Sequence, residues 1–234
     1  MSSAYFIILL KARLGKRDIT SKLKMLLEKK YYSFLTKNIL CLYLIFFAFP
    51  LHADQSQKQR LQEPINQLHE TLINIMVISD STNFEERYKY LEPIISEYFD
   101  INLISRVVLS RYWKTIEEKD KIKFTDLFKK LTISTYVSRF NSYNNQIFKK
   151  ISVERLKENR FLVKTEFRKL EGSPITFNYI VQKNNQKWRI ISVIANGIND
   201  LSLKRAEYAA IIKKDGFDVL VTKLEQKIRD SQTN

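Results

Sequence analysis

The spacing of apolar residues changes at Asn144 and changes back after Gly197, and this switch limits the folds open to the chain. Before it, Leu61, Ile65, Leu68, Leu72 and Ile75 recur at steps of three and four, as do Phe84, Tyr88, Leu91, Ile95 and Tyr98. That period puts one apolar stripe on each of two helices. A short helix follows over Leu103–Tyr112, then a long one that starts near Glu117 and carries Phe124, Leu127, Phe128, Leu131, Tyr136, Phe140 and Tyr143. Between Asn144 and Gly197 the period is two. "NRFLVKTEFRKL" sets Phe161, Val163, Thr165 and Phe167 against Lys164, Glu166 and Arg168, and "ITFNYIVQK" sets Ile175, Phe177, Tyr179 and Val181 on one side. "EGSP" and "NNQ" supply turns. The segment predicts four antiparallel strands in a meander. Helical spacing returns in Leu203–Lys214 and in Phe217, Leu220, Val221, Leu224 and Ile228. Helices, then strands, then helices predict an α+β domain: a twisted four-stranded antiparallel sheet wrapped by about six to seven helices.

The last strand, "KWRIISVIA", is apolar on both sides. Trp188, Ile190 and Ile194 alternate with Ile191, Val193 and Ala195. A half-solvated strand has one polar face, so this one is expected to be covered on both. The Trp188 side is expected to join Phe161, Phe177 and Tyr179, with the Ile191 side under the C-terminal helices. A one-residue bulge near Ser192 would exchange the two.

The chain reads as a leader over 1–53 and one domain over 54–234. In "KKYYSFLTKNILCLYLIFFAFPLHA", Lys29, Lys30 and Lys37 precede the apolar run Ile39–Phe49, with Pro50 and a small residue, Ala53, beyond it. That is the layout of a cleavable signal peptide. A membrane anchor is the alternative, but the run is about half of the roughly 20 residues a spanning helix needs. Met25 would give a leader of ordinary length. The only cysteine, Cys41, lies in the leader, so the exported domain has no disulfide, which suits a periplasm. The formal net charge of +15 is dispersed among acids rather than massed in a block, and export argues against nucleic acid as a partner. A solvated basic surface and attraction to anionic lipid headgroups remain open.

Catalytic chemistry finds little footing. Beyond the leader there is one histidine, His69, set in a helical stripe, and no cysteine nucleophile. Zinc would need several His or Cys ligands. The remaining glycines, Gly172, Gly197 and Gly216, are too scattered to cradle a phosphate. Glu85-Glu86 and Glu117-Glu118 read as helix-start charges. No catalytic residue, metal or cofactor is expected. What stands out is the aromatic content where the sheet would meet the long helix: Tyr136, Phe140, Phe161, Phe167, Phe177, Tyr179 and Trp188. A solid core and a cavity for an apolar ligand both fit that pattern.

Four segments then point to a family. "FDINLISRVVLSRYW", "TYVSRFNSY", "WRIISVIANGIN" and "LKRAEYAAIIKKDGFDVLVTKLEQKI" follow one another in the order and spacing of the MlaC-type, toluene-tolerance family, and look most like its hopanoid-associated HpnM branch. The resemblance covers roughly residues 60–230. Trp188, Tyr136, Arg139, Gly197, Arg205 and Tyr208 match motif positions. Ser192 stands where the family usually has Asp, and Ser110 where it has Gly. The resemblance implies a periplasmic carrier that shelters lipid tails between sheet and helices. Its cargo would be a phospholipid or a hopanoid, with no other cofactor. Its partners would be an inner-membrane ABC transporter, through an MCE-type component, and an outer-membrane lipoprotein complex. The expected lining is Leu131, Tyr136, Phe140, Phe161, Val163, Phe167, Phe177, Tyr179, Val181, Trp188, Ile190 and Ile194, with Arg139 and Tyr143 at the mouth. An accessory protein with a closed core and an enzyme using an unrecognised carboxylate are the alternatives.

Overall fold

Leu61, Ile65, Leu68, Leu72 and Ile75 are all at most 2% exposed, on the inward side of a first helix, α1, over residues 57–77. The computed structural model describes Met25 and residues 57–233; the reading of 1–53 as a leader lies, Met25 apart, outside the described residues. Helix α2 spans Phe84–Tyr98. Its start is a capping box: the Asn83 side chain accepts from the Glu86 N–H, and the Glu86 carboxylate accepts from the Asn83 N–H. Helix α3 is Ile101–Leu109, with the Asp100 side chain accepting from the Leu103 N–H. The helix expected over Leu103–Tyr112 therefore begins earlier and breaks sooner. At Ser110 the backbone turns to φ 51°, and a 3-10 turn, Ser110–Lys114, follows. Helix α4 is Glu118–Arg139.

The meander is β1 Ile147–Lys157, β2 Arg160–Arg168, β3 Ile175–Asn184, β4 Lys187–Ala195 and β5 Ile198–Asn199, antiparallel and in that spatial order. The sheet thus has five strands, not four. The fifth is two residues long, too short to show alternation in sequence. It pairs Asn199 with Ile194 and Ile198 with Ala195 after the Asn196-Gly197 turn, where both residues have positive φ. Helices α5 Asp200–Asp215 and α6 Phe217–Thr233 complete the described residues, which hold six α-helices and the one 3-10 turn.

One face of the sheet builds the core. Its cross-strand rows are Phe148–Phe167, Val153–Val163–Tyr179–Val193 and Phe161–Val181–Ile190. Phe140, at the end of α4, packs on Phe167 and Phe148, and His69 of α1 stacks on Phe148 at 3.8 Å. The far side of α4 holds Phe124 against Tyr208 of α5 and Phe217 of α6. Leu162, Ile180, Ile191 and Ile194 lie on the opposite sheet face and are only half-buried.

Strand β4 carries a bulge that settles its two apolar sides. Ser192 pairs with Ile180, and Ile190 with Val181, so Ile191 has no partner. Trp188 and Ile190 face inward before the bulge, Val193 and Ala195 after it. Ile194, across from Asn178, faces outward, contrary to the simple alternation. Ile191, expected under the C-terminal helices, is partly exposed, and Val193 belongs to the inner face.

Candidate functional site

Between the β3–β5 end of the inner face and helices α3, α4 and α5 the core opens into a cavity of about 370 Å³. The sheet contributes Phe177, Ser192, Val193 and Ala195. Helix α4 supplies Phe128, Leu131 and Tyr136, with Phe140 at its end. Phe99, Ile101 and Ile104 form the third wall, and Leu201 and Leu203 close it from α5. Thr132 and Thr135 also line it, but their hydroxyls donate to Phe128 O and Leu131 O at 2.8 and 2.7 Å. Bonded back to their own helix, they add no free donor to the interior.

Charge is confined to the mouth, at Arg139, Asp200 and Lys204. Lys204 lies 2.9 Å from the Asp200 carboxylate, one helical turn away. Arg139 is exposed and makes no ion pair or hydrogen bond with a described residue. The Tyr136 hydroxyl has no partner among the described residues either. Burial raises its pKa, the Asp200 charge adds to that, and Arg139 opposes it. Ser192 Oγ is buried and unpartnered.

A larger, open groove of about 980 Å³ lies on the other side of the Phe99–Ile101 segment, which lines both. Asp100, Arg106, Glu118, Lys121, Asp126, Lys129 and Arg189 mark it as a wet surface of mixed charge. Size alone would favour the groove. An apolar ligand needs a desolvated wall, and the smaller cavity provides it.

Of the residues expected to line a slot, Leu131, Tyr136, Phe140 and Phe177 line this cavity, with Arg139 at its mouth. Val163, Phe167, Tyr179, Val181 and Ile190 lie on the same inner face, but inside solid packing. Phe161 and Trp188 pack edge to face at 5.5 Å, also away from the cavity. Ile194 is on the opposite face, and Tyr143 is 41% exposed outside the lining. Sequence reasoning passed over the α3 wall and the start of α5. A signal existed there: Ile198 and Leu203 are large, apolar and more than half exposed, directly after the Asn196-Gly197 turn. His69, on helix α1, is a polar group inside the aromatic packing. Its Nε2 is 3.0 Å from the Tyr179 hydroxyl, and burial lowers its pKa to about 3. Among the described residues no group of three His, Cys, Asp or Glu is placed to hold a metal.

This architecture has known counterparts. A phospholipid-binding protein from Ralstonia solanacearum, solved in complex with a phospholipid, superposes with a TM-score of 0.64 over 74% of this chain and 97% of its own, at 17% identity, a likeness of fold. The intermembrane phospholipid transport system binding protein MlaC of Haemophilus influenzae is 23% identical over 156 residues, 63% of this chain and 73% of that one. The toluene tolerance protein ttg2D of Pseudomonas putida is 25% identical over 136 residues, 56% and 62% of the two chains. The family model of the MlaC protein matches residues 66–226, more than half of the chain, and the chain therefore belongs to the MlaC family.

Proposed function

We propose that the protein is a periplasmic phospholipid carrier that holds an acyl chain in the cavity between α3, α4, α5 and the β3–β5 end of the sheet. The observation that carries this reading is the largely apolar, partly open cavity whose charged lining residues are Arg139, Asp200 and Lys204. Its 370 Å³ corresponds to about a dozen water-sized groups at about 30 Å³ each, close to one acyl chain. Each buried methylene gains about 0.8 kcal/mol against water, so such a chain gains on the order of 10 kcal/mol. A bilayer offers nearly the same gain. Transfer between membrane and carrier is then close to neutral, and no catalytic group is needed. The family resemblance and the names of the relatives support a place in an intermembrane lipid transport system. The proposed partners are an inner-membrane ABC transporter, through an MCE-type component, and an outer-membrane lipoprotein complex.

Native mass spectrometry of the purified protein, with extraction of whatever it carries, tests the proposal. A bound phospholipid is the expected result. Extraction of a hopanoid instead would replace the cargo class. A lipid-free protein that takes nothing up from vesicles would overturn the carrier function and leave an accessory role.

A further inference from the structure

We infer that the mouth cluster of Arg139, Lys204 and Asp200 selects phospholipids whose headgroup carries net negative charge over zwitterionic ones, an inference that rests on the carrier reading above.

The first observation is position. The three charged groups lie on the border of a cavity whose interior holds none, so an amphiphile with its tail inside presents its headgroup to them. The second is how the charges are paired. Lys204 is held by Asp200 at 2.9 Å, a pair that is neutral taken together. Arg139 has no carboxylate and no hydrogen-bond acceptor among the described residues. Two cations against one carboxylate leave one net positive charge, and it belongs to the guanidinium. Its planar set of N–H donors matches phosphate oxygens in a bidentate arrangement.

The third observation is the Tyr136 hydroxyl, also unpartnered. It stands three residues before Arg139 on α4 and is acted on by both Arg139 and Asp200. Tyr136, Arg139 and Asp200 line the same cavity. Ser192, 6% exposed and without a partner for its hydroxyl, lines the same cavity. A headgroup with one net negative charge neutralises Arg139 and leaves the Lys204–Asp200 pair intact. A zwitterionic headgroup brings its own ammonium, which leaves the mouth positive and stands close to two cations.

The experiment is a competition. The purified full-length protein is incubated with vesicles of equal parts phosphatidylglycerol and phosphatidylethanolamine, re-isolated, and its extracted lipid compared with the donor composition. The expected result is about threefold to fivefold enrichment of phosphatidylglycerol, the size of one solvent-exposed ion pair. Arg139→Gln should return the bound lipid to the donor ratio. Asp200→Asn, which adds to the net positive charge, should raise the enrichment. Salt at about 0.5 M should weaken it. Lipid bound at the donor ratio by the unaltered protein, or enrichment that survives Arg139→Gln, would overturn the headgroup inference and leave the carrier reading standing. Failure to bind either lipid would overturn both.

Discussion

The inner face of the sheet ends differently at its two sides. Across β1, β2 and the middle of β3 it is filled: His69 stacks on Phe148, Phe140 meets Phe167 edge to face, and Tyr179 is almost completely buried. Toward β4 and β5 a surface of the same kind, Phe177, Val193 and Ala195, lines the cavity. Composition does not distinguish the two ends. What lies opposite does. Helix α1 brings a ring onto one end of the sheet, while α3, α4 and the start of α5 hold their side chains apart at the other. An apolar wall becomes a binding site only where the elements facing it fail to meet it.

Val163→Asp breaks the filled side most severely. Val163 is 1% exposed between Val153 and Tyr179, so the change buries an unpaired carboxylate. A loss above about 4 kcal/mol is expected, visible in circular dichroism as a greatly lowered or absent melting transition. Val193→Asp, at the cavity side of the same row, should cost clearly less stability and still abolish lipid uptake. Equal losses from the two would erase the distinction between the ends.

Acid should weaken the filled side through His69. The unfolded chain protonates this histidine near its ordinary pKa of 6.5, whereas the folded protein resists to about pH 3. The unfolded state therefore binds more protons throughout that window, and stability falls as pH drops from 6.5 toward 3. Between pH 7 and pH 5 the loss is about 2 kcal/mol, measurable by denaturant titration at the two pH values. His69→Gln, which keeps a polar partner near the Tyr179 hydroxyl, should remove most of that dependence.

Filling the void should act on the other end alone. Ala195→Phe places a ring in the cavity; lipid uptake should drop about tenfold or more, while stability stays within roughly 1.5 kcal/mol. A variant that keeps full uptake would place the cargo elsewhere. The smallest effect concerns α3, one wall of the cavity. Ser110, at φ 51°, occupies backbone space that suits glycine. Ser110→Gly should raise stability by about 0.5 to 1 kcal/mol and leave uptake unchanged.

The elements themselves were legible because burial writes a period into sequence. The stripe from Leu61 to Ile75 and the alternation from Phe161 to Phe167 each mark one buried face. The bulge at Ile191 left no such trace, since one extra residue in a strand apolar on both sides leaves both sides apolar and only reverses which side Val193, Ile194 and Ala195 take. The cavity was illegible for a related reason. Val163 and Val193 are both inward and apolar, but periodicity reports only that a side chain leaves water, not whether another side chain meets it. Asp200 and Lys204 gained meaning only when the two-residue strand β5 turned the start of α5 over the opening.

The segment around Phe99 also has a kinetic consequence. The meander β1–β4 joins neighbours in sequence, and such contacts cost little chain entropy to form. The cavity's α3 side is tied to β4 differently: Phe99 bridges Ile190, the Asp100 N–H donates to Ile190 O, and Glu97 receives Lys187 and Arg189 from 90 and 92 residues away. Loops of that length close late. The expected order of assembly is then sheet first and the α3 wall of the cavity last.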